Sequence, residues 1–296
     1  MMQGRRHPVL TFLFAALILI FSGGPVVLSL LGSMIPDRVL LNADKPLLSE
    51  GLSLETYRYV FTGQLPDAYN QAGANRAMIS DAARQVPQSL LNSSLNALAA
   101  MALNLILGAP AAFIFARYIF PGKKLSFMYL ILSPLVPAVA LVTPIYMMLQ
   151  TLGLVGTQLG IILVHTAKAL PFTVLILSVF FRKIPAEIFE AAVLDHCSRL
   201  QSFFRVALPL ALPSIGATGL FAFMLSYSEF MFSMVLSGDA ETRPVSVVMA
   251  ALARNTDVSW SLLNTGIFIA IVPTLVLVVL IWRFVVEGLL GGAVKG

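Results

Sequence analysis

Long apolar runs with almost no charge most constrain what this chain can fold into. Six are delimited in the sequence, over residues 8–31, 90–115, 125–149, 159–181, 210–236 and 264–282. Each is near the roughly 20 residues that a helix needs to cross a bilayer. The expected fold is an all-α polytopic membrane protein with six transmembrane helices in one domain spanning 1–296. Composition agrees: 58% of the 296 residues are hydrophobic and 11% charged, where soluble domains carry roughly 25% charged residues.

Arg5, Arg6 and His7 precede the first run, as they would in a signal peptide. The run continues past Gly23, Gly24 and Pro25, too far for a signal core, and lacks a small-x-small cleavage site. It reads as a retained first span, kinked near Pro25. Residues 32–88 form a polar outer segment of both charge signs, with short amphipathic helices expected at Leu54–Phe61 and Ala77–Val86. A solvated loop and a partner-facing surface are equally open readings of it.

Phe120-Pro121-Gly122-Lys123-Lys124 makes a short basic hairpin after the second span. Pro134, Pro137 and Pro144 predict kinks in the third span, with freed carbonyls that protein or water must satisfy. A polar loop follows the fourth span over 182–208. An outer loop covers 237–263 and a tail 283–296. Lys and Arg concentrate in the short loops of one side, which the positive-inside rule makes cytoplasmic. Both termini then lie in the cytoplasm.

The net charge of +5 is explained by that bias, and no Lys/Arg cluster interleaved with aromatics suggests nucleic acid. Cys197 is the single cysteine, so no internal disulfide exists. No Gly-x-x-x-x-Gly-Lys-Ser/Thr loop is present, so the chain does not bind ATP through a P-loop of its own. His7, His165 and His196 lack metal-ligand spacing. Nothing pairs a nucleophile with a base. The chain reads as non-catalytic, with no metal and no cofactor of its own.

Three ionisable residues fall inside the runs: His165, Lys168 and Glu229. Counting from the outer ends, Lys168 is about three turns in and Glu229 about two, so the two are at similar depth and within reach of pairing. One reading is a structural ion pair that fixes two helices; the other is a polar patch on a transport path. Tyr227, Ser226 and Ser228 surround Glu229, and Tyr146 follows Pro144. Beside a carboxylate these suit hydroxyl-rich solutes, although in an all-helical membrane core Tyr and Ser more often serve helix packing.

The stretch Glu187–Pro213 is a charged island between two apolar runs. Its helix-forming composition, with Phe203 and Phe204 as candidate buried contacts, predicts a small folded element that touches something else. Glu190-Ala191-Ala192, followed at fixed spacing by Val206, Leu208 and Pro209, resembles the "EAA" loop of permease subunits in binding-protein-dependent ABC importers. That pattern is Glu-Ala-Ala, three residues, Gly, nine residues, Ile-x-Leu-Pro. Here Val206 replaces Ile and His196 stands at the Gly position, a departure that strains a turn where φ is positive.

Leu91-Asn92-Ser93, Phe120-Pro121-Gly122-Lys123, Pro171, Ile184-Pro185 and Ser228-Glu229-Phe230 look like the carbohydrate branch. The tail Gly-Leu-Leu-Gly-Gly-Ala-Val-Lys-Gly is similar to the end of the maltose-transporter-type second permease. The resemblance implies a type I importer permease in a bacterial inner membrane, importing a sugar or sugar derivative. Glu190, Ala191, Ala192, Asp195, His196, Leu208 and Pro209 would form a coupling helix docked on a cytoplasmic ATPase dimer that binds ATP and Mg. Gly291, Gly292 and Lys295 would reach the ATPases. Arg254, Asn255, Thr256 and Asp257 would face a solute-binding protein, and a second homologous permease would complete the pore. Two alternatives stand beside this: an ABC permease for a non-sugar solute, and a stand-alone secondary transporter that uses Lys168 and Glu229.

Overall fold

The apolar runs fold as helices, and no strand occurs among the residues described, 8–64, 81–254 and 259–290 of the computed structural model. In chain order the helices are α1 (Pro8–Met34), α2 (Asp37–Leu40), α3 (Glu55–Thr62), α4 (Asp81–Arg84) and α5 (Val86–Arg117). Then come α6 (Lys123–Leu132), α7 (Ala138–Thr151), α8 (Gln158–Lys183), α9 (Ala186–Leu194) and α10 (Arg199–Leu210). The last are α11 (Leu212–Tyr227), α12 (Met231–Leu236), α13 (Val245–Arg254) and α14 (Trp260–Leu290). By length and composition four helices can each cross a membrane, namely α1, α5, α8 and α14.

The remaining two runs are not single rods: the kinking expected of 125–149 is there as a sharp break, whereas 210–236, expected as one continuous span, is interrupted at Ala211 and again between Tyr227 and Met231. The third run breaks between Leu135 and Ala138 with a bend of 103°, and α10 meets α11 at 80°. The first break has a plain cause. Pro134 and Pro137 each lack an N–H and obstruct the preceding turn, leaving Ser133–Leu135 as a 3₁₀ turn. Pro144 is carried inside α7. If each bent pair counts as one span, the total reaches six.

Other boundaries shift by a few residues. The expected helix at Leu54–Phe61 is α3, moved by one position. Of the one expected at Ala77–Val86, residues 77–80 lie outside the described residues, Asp81–Arg84 is α4, and Val86 already belongs to α5. The outer loop at 237–263 contains α13, and α14 starts four residues before the expected Asn264.

Two compact units are built from these helices. The first comprises residues up to Pro87 with Val248–Val272. There Thr56 donates to the Ser33 carbonyl at 2.9 Å, Thr265 donates to Thr56 at 2.8 Å, and the Asp37 carboxylate accepts the Ser261 N–H at 2.8 Å. Gly32 lets α1 approach closely here: a Cβ there would come within 2.8 Å of Asn264 Nδ2, and that side chain would have to shift. Arg38 and Lys45 both pair with Glu50, and the Lys45 hydrogen bond is the main cause holding that carboxyl below its ordinary value. None of the most apolar window of α1 is buried against the rest of the chain.

The second unit comprises Gln88–Val247 with the residues from Pro273 onward. Its centre is α8, half of whose apolar window is buried, and which packs along α11. Ala109, Ala112, Phe113, Val174, Leu177, Phe181, Phe203 and Ala207 form one apolar core. Leu149, Ile161, Val164, Phe232 and Leu236 form another.

Candidate functional site

Two places in the second unit carry the residues singled out from sequence. The first is the α9–α10 turn. Helix α9 ends at Leu194, and His196 takes a φ of +55°, the one positive φ at a non-glycine among the described residues. The Cys197 N–H donates to the Ala192 carbonyl at 2.9 Å and the His196 N–H to the Val193 carbonyl at 3.0 Å. This pair of bonds is the Schellman ending, in which a left-handed residue closes the helix and satisfies its last carbonyls. Glycine usually fills that position because a Cβ costs about 1–2 kcal/mol there. His196 makes the same turn and bears the strain.

The chain restarts at once. Ser198 accepts the Gln201 N–H at 3.3 Å, and Gln201 Oε1 accepts the Ser198 N–H at 2.8 Å, a reciprocal capping box. The Ser-x-x-Gln spacing of residues 198–201 is the sequence signal for this box. Ahead of Pro209, Ser202–Ala207 widens into a π-helical stretch. Pro209 has no N–H for the Arg205 carbonyl four residues back, and the wider turns accommodate that loss.

One side of this hairpin is anchored. Ala192, Phe203 and Ala207 are buried, with the Phe203 ring 5.3 Å from that of Phe113. Phe204, expected to be buried too, is 54% exposed; adjacent helical residues point about 100° apart, so one faces out. Arg117, the last residue of α5, donates to the carbonyls of Phe181 and Ile184 and lies 4.3 Å over the Phe189 ring. It thereby ties the ends of α5 and α8 to α9.

The other side is open. Glu190, Ala191, Asp195, His196 and Pro209 are exposed, Leu208 is half-buried, and Val193 and Leu194 are 65% and 80% exposed. A groove of about 640 Å³ runs between α9 and the end of α5, past Arg117, Phe189, Glu190 and Arg199. Aliphatic side chains left open among carboxylates are what a protein partner would cover.

The second place lies at the end of α11. Glu229 does not sit within a helix, as a continuous fifth span required; it occupies the break between Tyr227 and Met231. Its carboxylate accepts the Phe232 N–H at 3.3 Å and the Ser233 N–H at 3.0 Å, so it satisfies the opening donors of α12. Lys168 donates to Oε1 at 3.3 Å, and His165 Nε2 stands 3.5 Å from Oε2. The His165 ring also lies 2.8 Å from Ser226 Oγ and 3.1 Å from Ser233 Oγ. Lys168 and Glu229 are thus brought together, with His165 and Ser233 as members that sequence did not join to them. Tyr227 stacks on Phe223, ring centroids 5.4 Å apart.

Nearby, Asn92 donates to the carbonyls of Glu241 and Arg243 at 2.8 and 3.0 Å, and Ser93 accepts the Val245 N–H at 2.7 Å. This gives a physical reason for Asn-Ser at the opening of α5: the pair pins the loop leading into α13. Arg254 ends α13 and is exposed. Asn255, Thr256 and Asp257, with Gly291, Gly292 and Lys295, lie outside the described residues. Among the described residues no group of three or more His, Cys, Asp or Glu is placed to hold a metal ion.

Long apolar helices, bent helix pairs and an anchored but half-open helical hairpin are the features of a helical membrane protein. Residues 104–289 match the family described as binding-protein-dependent transport system inner membrane component, and the chain belongs to that family. It is 34% identical over 187 residues to the diacetylchitobiose uptake system permease protein of Streptomyces coelicolor, covering 62% of each chain. To the osmoprotective compounds uptake permease protein of Synechocystis it is 32% identical, covering 70% of each. The trehalose transport system permease protein of Mycobacterium tuberculosis shares 29% identity over 86% of each. In fold, the chain matches a chain of a bacterial ABC transporter involved in import of the acidic polysaccharide alginate. That match has a TM-score of 0.71 at 17% identity, over 96% of this chain and 99% of that one.

Proposed function

We propose that this chain is the permease subunit of an ATP-driven, binding-protein-dependent importer for a sugar or sugar derivative. The observation that carries this reading is the α9–α10 hairpin, anchored through Phe203 and Arg117 yet open at Glu190, Val193 and Leu194. A chain without a P-loop needs an outside source of energy, and this surface is where an ATPase subunit docks, with Glu190 facing a basic partner residue. The ATPase pair binds ATP and Mg, and its closure moves α9 as a rigid body. Family membership supports the reading, as do relatives whose names specify diacetylchitobiose and trehalose.

On this reading a second, homologous permease completes the pore and both termini are cytoplasmic. Gly291, Gly292 and Lys295 reach toward the ATPases, and the Arg254–Asp257 loop meets a solute-binding protein on the opposite side. The stand-alone secondary transporter fits less well. Its coupling carboxylate would be Glu229, which already accepts two backbone N–H groups that protonation would weaken.

The test uses the reconstituted complex, screened with saccharides for uptake and ATPase stimulation. Glu190→Ala is expected to leave complex yield normal while separating ATP hydrolysis from uptake; unchanged uptake at normal yield rejects the docking role. Solute uptake by this chain alone, driven by an ion gradient, would establish the secondary transporter instead.

A further inference from the structure

Lys168 is bound differently from the groups around it. Glu229 and His165 have side chains only 2% exposed and are held by several partners each, whereas the Lys168 side chain is 39% exposed, with Glu229 at 3.3 Å and the centre of the Phe232 ring at 5.8 Å. An ammonium has three N–H donors, and one contact with the carboxylate leaves others to point outward. Glu229 for its part has partners besides Lys168, namely two backbone N–H groups and the His165 ring.

Depth makes this exposure informative. Lys168 is ten residues into α8, about 15 Å along a helix axis, and so near the middle of a hydrocarbon core about 30 Å thick. A lysine in lipid reaches its ammonium toward the nearer interface, but this one is turned onto Glu229 instead. A charged group at that depth faces water or protein, not acyl chains. The surface around it is mixed. Phe172 follows one turn on along α8, its ring 6.1 Å from that of Phe221 on α11. Phe221 and Met224 are 40% and 46% exposed, and Ser228, beside Glu229, is exposed as well.

We infer that Lys168, fixed by Glu229 beside the Phe172–Phe221 pair, lines the aqueous path of this subunit and donates to an oxygen of the passing saccharide. Aromatic faces take the apolar faces of sugar rings, and the ammonium takes a hydroxyl or carboxylate oxygen. The inference rests on the transport reading above, and the buried His165–Glu229 pair is then the mount of Lys168.

The test begins with water access, which needs no saccharide. In a Cys197→Ser background, Lys168→Cys in the full importer complex is expected to react with a membrane-impermeant cationic methanethiosulfonate, while Leu19→Cys on α1 does not. A thiol at position 168 that stays unreactive both without nucleotide and with ATP overturns the proposal. Uptake follows, with the saccharide that stimulates the wild-type complex. Lys168→Met is expected to raise KM about tenfold, the size of one charge-assisted hydrogen bond. A wild-type KM overturns the proposal. Lys168→Gln keeps a donor without the charge: recovery of KM identifies a hydroxyl partner, and a loss equal to that of Lys168→Met identifies a carboxylate. A wild-type complex that takes up no saccharide would reject the transport reading and leave the labelling result standing.

Discussion

Two interruptions of helix, at His196 and at Glu229, solve the same problem with opposite materials. Each leaves backbone groups that the helix no longer satisfies. At His196 the solution is local and exposed: a left-handed residue, two backbone bonds and a Ser-x-x-Gln box, all within Ala192–Gln201. At Glu229 it is buried and long-range, with a carboxylate supported by His165 and Lys168 from α8, 61 or more residues away in sequence. Water fills any shortfall at the first, so its parts are individually modest. At the second the Glu229 carboxylate and the His165 ring are buried, so a shortfall on either costs more.

That contrast is broken most easily at its strongest point. Glu229→Ala removes the acceptor of two backbone donors and leaves a buried histidine beside an unpaired lysine. The expected loss is about 3–5 kcal/mol, the range for breaking a buried pair, read as lower complex yield and melting temperature. Adding Lys168→Met should be non-additive if the two act together; simple additivity would separate them. Next in size is Ser198→Ala, expected to cost about 1 kcal/mol through the lost cap, seen as faster amide exchange over Arg199–Ser202 with α12 unaffected. A loss at Ser198 as large as that at Glu229 would erase the distinction between the two breaks.

The smallest effect has the opposite sign. His196→Gly relieves a left-handed penalty of about 1–2 kcal/mol and gives back about 0.5–1 kcal/mol of backbone entropy. A net gain of about 0.5 kcal/mol is expected, visible as slower amide exchange at Cys197. Loss of stability would mean that the imidazole makes a contact of its own.

The same contrast decides what the sequence could tell. α1, α5, α8 and α14 are legible because hydropathy sums over many residues. The His196 turn is legible in two signals, the glycine position of the Glu-Ala-Ala pattern and the Ser-x-x-Gln spacing at Ser198 and Gln201, of which the first alone enters the sequence reading above. The Glu229 break was not legible, since one carboxylate among Ser226, Tyr227, Ser228 and Phe230 barely alters the average of an apolar run. Nor was the role of Arg117, whose acceptors are main-chain carbonyls at Phe181 and Ile184 that no side-chain pattern announces. Depth matching did place Lys168 near Glu229, because helical rise converts sequence position into height.

The 80° bend between α10 and α11 has a mechanical consequence. Two rods that meet almost at right angles transmit little of a push along one into sliding along the other. The shared corner at Ala211 is buried and cannot yield sideways without opening the core around Phe113 and Phe203. A displacement of the α9–α10 hairpin therefore reaches α11 as torque about that corner, as in a bell crank. The far end of α11, where Tyr227 and the Glu229 break lie, is tied to α8 through His165 and Lys168, so such a torque would act on α8 and α11 as one packed pair.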